Sequence, residues 1–154
     1  MNFENHSDAR VRNAYKIAAA AHAGQTDKAG VEYLNHPLAV ASNVGENVSA
    51  IIVALLHDVV EDTGATFDEL KNSVPLTAEE LYALKLLTHD KNIPYAEYVA
   101  KIKTDALATK VKIADLTHNS DLTRIPENLR TEKDLQRVEK YRAALAQLTT
   151  AQTF

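Results

Sequence analysis

Ser49-Ala-Ile-Ile-Val-Ala-Leu-Leu56 runs directly into His57-Asp58-Val-Val-Glu61-Asp62-Thr63, and the join between these two stretches decides how the chain is read. The first stretch is apolar enough to form a buried helix. The second puts an imidazole and three carboxylates on little more than one helical turn. Residues three or four apart on a helix are neighbours, so the spacing predicts His57 beside Glu61, and Asp58 beside Glu61 and Asp62. Carboxylates sit badly at a helix C-terminus, where the macrodipole is already negative. Unpaired charge at the end of a core helix is costly, and a divalent cation is the simplest compensation. A solvated helix end with ordinary surface charge is the plainer reading, and further ligands elsewhere in the chain decide against it.

Upstream lies Tyr33-Leu-Asn-His36-Pro37-Leu38. Pro37 suits the first position of a helix, which puts His36 at that helix N-terminus. Downstream, Lys110-Val-Lys-Ile-Ala-Asp115-Leu-Thr-His-Asn119 has Val111, Ala114 and Leu116 at the spacing of a buried helix, interrupted by the charge of Asp115. His36, His57, Asp58 and Asp115 make a mixed nitrogen and oxygen set. Such a set suits Mn²⁺, Fe²⁺ or Zn²⁺ better than Ca²⁺. Four protein ligands leave room for water on a five- or six-coordinate ion, as a hydrolytic site requires.

The rest of the chain reads as one all-α domain. Its 154 residues suffice for a real core, but not for a second catalytic unit. Val11, Ala14, Ile17, Ala18 and Ala21 follow a helical period between Asp8 and His22. Thr66 with Glu69 and Thr77 with Glu80 match the capping box, Pro75 separates the helices they start, and Pro94 opens another. A last amphipathic helix runs from Thr131 to about Leu148, and about eight or nine helices are expected in all. Residues 1–7 read as a loose tail carrying His6. Seventeen basic against twenty-one acidic side chains, with no basic run, speak against nucleic acid as a partner. No cysteine means neither a disulfide framework nor a thiolate metal site. No stretch reads as a membrane span or signal peptide, so the cytoplasm is the expected compartment. A homo-oligomer is compatible with this composition.

The ordered motifs His22-Ala-Gly-Gln-Thr-Asp-Lys28-Ala-Gly, Tyr33-Leu-Asn-His-Pro, Leu55-Leu-His-Asp-Val-Val-Glu-Asp-Thr63 and Val111-Lys-Ile-Ala-Asp-Leu-Thr-His-Asn119 resemble the HD phosphohydrolase superfamily. Within it they are similar to the hydrolase domain of the Rel/Spo family, which degrades the alarmones ppGpp and pppGpp. The similarity extends from about Ala18 to the closing helix, as in the small single-domain members. The resemblance implies a helical HD bundle and a Mn²⁺-dependent removal of the 3′-pyrophosphate, leaving GDP or GTP. It implies His36, His57, Asp58 and Asp115 as ligands, and Glu61 and Asp62 as the catalytic acidic pair. Lys28 matches a substrate-contacting lysine, and Asn119 an asparagine near the nucleotide sugar. Arg124 suits bidentate phosphate binding, although a surface pair with Asp121 or Glu127 is the plainer expectation.

The sequence also departs from the family pattern. Asp27 stands where the long Rel/Spo proteins often carry an arginine, and a carboxylate cannot stack on a base as a cation. It can accept hydrogen bonds from a guanine edge. Glu32 stands where proline commonly precedes the tyrosine. Another nucleotide or NADPH as substrate, or a non-catalytic nucleotide-binding regulator, are the alternatives. His22 and His89 read as helix termini, His118 as a residue off the ligand pattern, and Tyr95 and Tyr98 as packing residues.

Overall fold

The computed structural model describes residues 2–150, so Met1 and residues 151–154 of the expected 1–154 domain lie outside the described residues. Helix follows helix throughout. The α-helices are α1 (Ala9–Ala21), α2 (Asn35–Ser42), α3 (Val48–Leu56), α4 (Val59–Asp62), α5 (Phe67–Ser73), α6 (Ala78–Leu87), α7 (Tyr95–Lys103), α8 (Ala106–Asn119) and α9 (Glu132–Thr149). Two 3₁₀ turns, 122–124 and 127–129, join α8 to α9. The extended pairing among the described residues is one isolated bridge, Thr26 with Glu32. The all-α class expected from the sequence is what the chain adopts.

Helix α3 is the axis of the molecule. Ala50 to Leu56 are all buried, and α1, α2, α6 and α8 pack around them. A helix apolar on every face has no solvent side to offer, so its neighbours must enclose it. Asn47 caps its start, its side chain accepting from the Ala50 N–H at 2.9 Å. The capping boxes at Thr66 and Thr77 both form, and Thr131 makes a third with Asp134. Pro37 is the third residue of α2 rather than the first. Its missing N–H still falls among donors that lack a helical partner, so the earlier start costs nothing.

Two expectations change. The single helical run through His57 and Asp62 is broken, since α3 ends at Leu56 and α4 resumes at Val59. Adjacent side chains on a continuous helix diverge by about 100°. The interruption at His57 and Asp58 (φ −100°, ψ −3° at Asp58) lets both point to one place. The N-terminal segment is also not loose over its described part. Phe3 is 3% exposed and belongs to the core. Arg12 Nη1 donates to the carbonyls of His6 and Ser7 at 2.6 and 3.0 Å.

Candidate active site

His36 from the first turn of α2, His57 and Asp58 from the α3–α4 break, and Asp115 from α8 meet at one point. His36 Nε2 lies 2.8 Å from Asp115 Oδ1 and 3.6 Å from Asp58 Oδ2. His57 Nε2 lies 3.1 Å from Asp58 Oδ2 and 3.4 Å from Asp115 Oδ1. Donor atoms at about 2.1 Å from a common ion stand roughly 3.0–3.5 Å from one another; His36, His57 and Asp58 lie close enough together to hold one, with Asp115 Oδ1 hydrogen-bonded beside them.

The tautomers fit as well. His57 Nδ1 is 2.5 Å from the Ala54 carbonyl and donates to it. Its Nε2 then faces the cluster, where this buried atom has no hydrogen-bond partner. His36 Nδ1 is 2.7 Å from His118 Nδ1, and the two rings stack at 4.9 Å. Burial, then the charges of Arg124 and His36, push His118 down to about 4. A neutral His118 can accept from His36 Nδ1–H, the tautomer in which His36 Nε2 would turn a lone pair to a cation in place of its 2.8 Å hydrogen bond with Asp115 Oδ1. Orienting bonds of this kind are what metal-bound imidazoles need.

The carboxylates are held ionised. Burial alone would raise Asp58, but His57 beside it pulls it down to about 2. Burial also opposes the charge on Asp115, but Lys112, whose Nζ donates to Oδ2 at 2.8 Å, together with His36 and His57 holds it well below the ordinary carboxylate value. His57 in turn is raised well above its ordinary value against the penalty of burial, by Asp58 and Asp115. Tyr33 Oη donates to Asp58 Oδ2 at 2.7 Å. The cluster thus draws positive charge toward its centre from every side.

Glu61 and Asp62 line a cavity of about 270 Å³ whose floor includes Asp58 and Asp115. Both are raised, first by burial and then by the charge of Asp58. A second cavity of about 260 Å³ is lined by Lys28, Asp27, Asn119 and Arg124, together with Arg137 and Tyr141. Tyr33, Asn119 and Tyr141 line both. The two clefts therefore meet beside the ligand cluster.

The expected substrate-contacting residues are present in the cleft with partners the sequence did not announce. Lys28 Nζ donates to Asp134 Oδ1 at 3.1 Å. Asp27 turns its own loop, its Oδ1 accepting from the Ala29 and Val31 N–H groups at 2.9 and 3.0 Å. Its Oδ2 faces Arg124 Nη2 at 3.5 Å. Arg124 therefore pairs with Asp27 and not with Asp121 or Glu127. It also donates to the His118 carbonyl at 2.9 Å, while Asp121 is taken up by Thr123. The Asn119 amide donates to Asp115 Oδ1 at 3.0 Å, so it holds a carboxylate as well as lining both clefts.

Sequence reasoning passed over Tyr33, Lys112, His118, Arg137 and Tyr141. Lys112 and His118 each stand three residues from Asp115, a spacing that puts them on its face. Tyr33 stands three before His36. Arg137 and Tyr141 gave no such signal. His22 reads correctly as a helix end, the C-cap of α1, yet it is only 2% exposed and packs 5.0 Å from the Tyr33 ring. Tyr98 is a packing residue, donating to the Leu87 carbonyl at 2.6 Å and stacking on His89 at 4.5 Å.

Comparison with known proteins follows the same lines. Residues 14–83 match the HD domain family. The bifunctional (p)ppGpp synthase/hydrolase SpoT of Escherichia coli K12 is 38% identical over 122 residues, 71% of this chain and 17% of that protein. The chain therefore spans under a fifth of the length of such bacterial relatives. The guanosine-3′,5′-bis(diphosphate) 3′-pyrophosphohydrolase MESH1 of Danio rerio is 37% identical over 149 residues, 88% of this chain and 79% of that protein. A solved structure described as a metazoan ortholog of SpoT that hydrolyses ppGpp superposes with a TM-score of 0.72 at 23% identity, covering 94% of this chain and 87% of its own. With the ligand geometry and these matches in hand, the chain belongs to the HD-domain family that includes the guanosine-3′,5′-bis(diphosphate) 3′-pyrophosphohydrolases.

Proposed function

We propose that this protein is a metal-dependent phosphohydrolase that removes the 3′-pyrophosphate from ppGpp or pppGpp, giving GDP or GTP and pyrophosphate. One observation carries the reading: the partnerless, buried His57 Nε2 faces a cluster of donors at metal-ligand spacing, beside a cavity containing two further carboxylates. His36, His57, Asp58 and Asp115 are the proposed ligands of one divalent ion. Manganese as that ion, and the cytoplasm as the compartment, belong to the same proposal. When bound, the ion supplies Lewis acidity, acidifying water and offsetting phosphate charge.

The chain's own groups then have defined tasks. Hydrolysis adds water across the bond between the ribose 3′-oxygen and the adjoining phosphorus. The water oxygen leaves in the pyrophosphate, and the 3′-oxygen departs with the electron pair of the broken bond and must gain a proton. Glu61 and Asp62 are the proposed acid–base pair, one accepting the water proton and the other supplying the 3′-oxygen. Their raised affinity for protons suits carboxyls that must both take and give. Tyr33 and Asn119 hold Asp58 and Asp115 in place. Lys28, Arg124, Asn119 and Asp27 are the proposed contacts to the nucleotide, with Asp27 fixing Arg124 more than reading the base itself.

The decisive assay incubates metal-stripped protein with ppGpp, with and without Mn²⁺, and separates products by anion exchange. Equimolar GDP and pyrophosphate formed only with metal is the expected result. Hydrolysis of another nucleotide or NADPH in place of ppGpp overturns the substrate. Tight nucleotide binding with no product from any of them would identify a regulator instead.

A further inference from the structure

Helix α9 sends side chains into both clefts, and the one lined by Glu61 and Asp62 has a cation whose role the reaction above leaves unused. Arg137 and Tyr141 line the cleft that holds Lys28 and Arg124. Lys140 and Tyr141 line the cavity that holds Glu61, Asp62, Asp58 and Asp115. Two lysines border that cavity. Lys112 is committed to Asp115 at 2.8 Å. Among the described residues no salt bridge engages Lys140, whose Nζ rests 4.0 Å from the centre of the Tyr95 ring.

That ring is itself fixed, 5.6 Å from Tyr98 and 5.8 Å from His89. A lysine resting on an aromatic face keeps its N–H donors free while losing part of its rotamer freedom beforehand. Lys140 is itself exposed, and the ring is what pre-positions it for an anion.

The charge pattern shows what kind of anion fits. A diphosphate ester brings negative charge at two phosphorus centres. In the reaction proposed above the inner phosphate would be held at the ligand cluster. The outer phosphate would then extend into the same cavity, which Glu61 and Asp62 also line with like charge. Lys112 cannot offset this alone, because Asp115 already neutralises it. Among the described residues that line this cavity, the lysine without a salt bridge is Lys140.

We propose that Lys140, with Lys112 behind it, seats the outer phosphate of the diphosphate group transferred to water, and so makes the protein select a diphosphate ester over a monophosphate ester at the cleaved position. This rests on the phosphohydrolase reading above. Because the two clefts share Tyr33, Asn119 and Tyr141, a nucleotide with phosphates at both ends of its sugar spans them, one group to each.

The test uses the full chain at a buffered, saturating concentration of free Mn²⁺. Inorganic pyrophosphate and orthophosphate serve as probes, with affinity read from thermal shift, and ppGpp kinetics are measured in parallel. Lys140→Gln is expected to weaken pyrophosphate about tenfold, as loss of a charged hydrogen bond does, and to leave orthophosphate unchanged. It should raise KM for ppGpp by a similar factor with little change in kcat. Lys140→Arg should restore both, and Lys133→Gln, an exposed lysine on the same helix, should change neither.

Unaltered pyrophosphate affinity in Lys140→Gln overturns the subsite, and so does an equal loss in Lys133→Gln. If ppGpp is hydrolysed but Lys140→Gln is silent, the subsite falls and the proposed activity stands. If ppGpp is not hydrolysed, yet Lys140 still governs the preference for pyrophosphate, the subsite stands and the proposed substrate falls.

Discussion

His57 shows how one side chain can be placed for chemistry at the expense of stability. Its Nδ1 is satisfied by Ala54 and its Nε2 has nothing but the cluster. His57→Ala should therefore abolish bound divalent metal and turnover together, lowering metal affinity by more than about 100-fold. Metal content by mass spectrometry alongside activity checks this, and near-normal turnover would sink the site. Glu61 separates the two functions. Glu61→Gln should retain metal and slow turnover by about 100-fold or more. It should also stabilise the metal-free protein at pH 7, because a carboxyl whose pKa is raised on folding binds more protons folded than unfolded. The wild-type group therefore loses stability as pH rises through its folded value. The variant should melt about 1–3 °C higher at pH 7 and gain nothing at pH 3.

At this scale the sequence is legible where a charge interrupts an apolar run. His57, Asp58 and Asp115 each do so, although the cluster they form with His36 closes across 79 residues of chain. Asp27, Lys28 and Arg124 are legible as candidates only. Their partners come from distant parts of the chain, Lys28 meeting Asp134 across 106 residues, and no local period encodes such a meeting.

Among the elements, α3 and α9 carry contrasting loads. Leu55 is fully buried in the axial helix, and Leu55→Ala should cost about 2–5 kcal/mol, read from chemical denaturation at constant m-value. Helix α9 depends on its first turn. Asp134 accepts from the Thr131 N–H at 2.9 Å and from Lys28 at 3.1 Å. These two, the backbone N–H first, pull it down to about 2. A carboxylate depressed in this way stabilises the fold above its unfolded pKa and loses that effect as pH falls toward the folded value. Asp134→Ala should thus melt roughly 2–4 °C below wild type at pH 7. The gap should narrow steadily from pH 4 to pH 2, as circular dichroism melts would show.

Capping boxes at Thr66 and Thr77 and the prolines made the helix starts readable, because they are chemistry between residues three apart. The break at His57 and Asp58 was not readable. It arises from the requirement that two adjacent side chains reach one point, which belongs to the tertiary structure.

For the whole molecule, the cluster couples metal to folding. A ligand that binds only the native state stabilises it by about 4 kcal/mol at a thousandfold its dissociation constant, or about 10 °C for a chain of this size. Adding a chelator to the metal-loaded protein should lower Tm by about that amount, and an excess of the same divalent ion should restore it. No change on chelation, with metal shown to leave, would mean that the cluster is equally content empty. No described helix is long and apolar enough to cross a membrane.

Arg137, Lys140 and Tyr141 share one face of α9, three and four residues apart, and each borders a cleft. Their common face makes the winding phase of that helix a single setting for its share of both clefts. A one-residue insertion between Thr131 and Arg137 would turn all three by about 100° and empty both clefts of their α9 contacts at once. The same insertion in the turns between Ser120 and Arg130 would leave them in phase. Drift in this protein should therefore accumulate as length changes before α9 and as residue exchanges within it, with the helix serving as a keyway that admits new substrates only by changing the teeth.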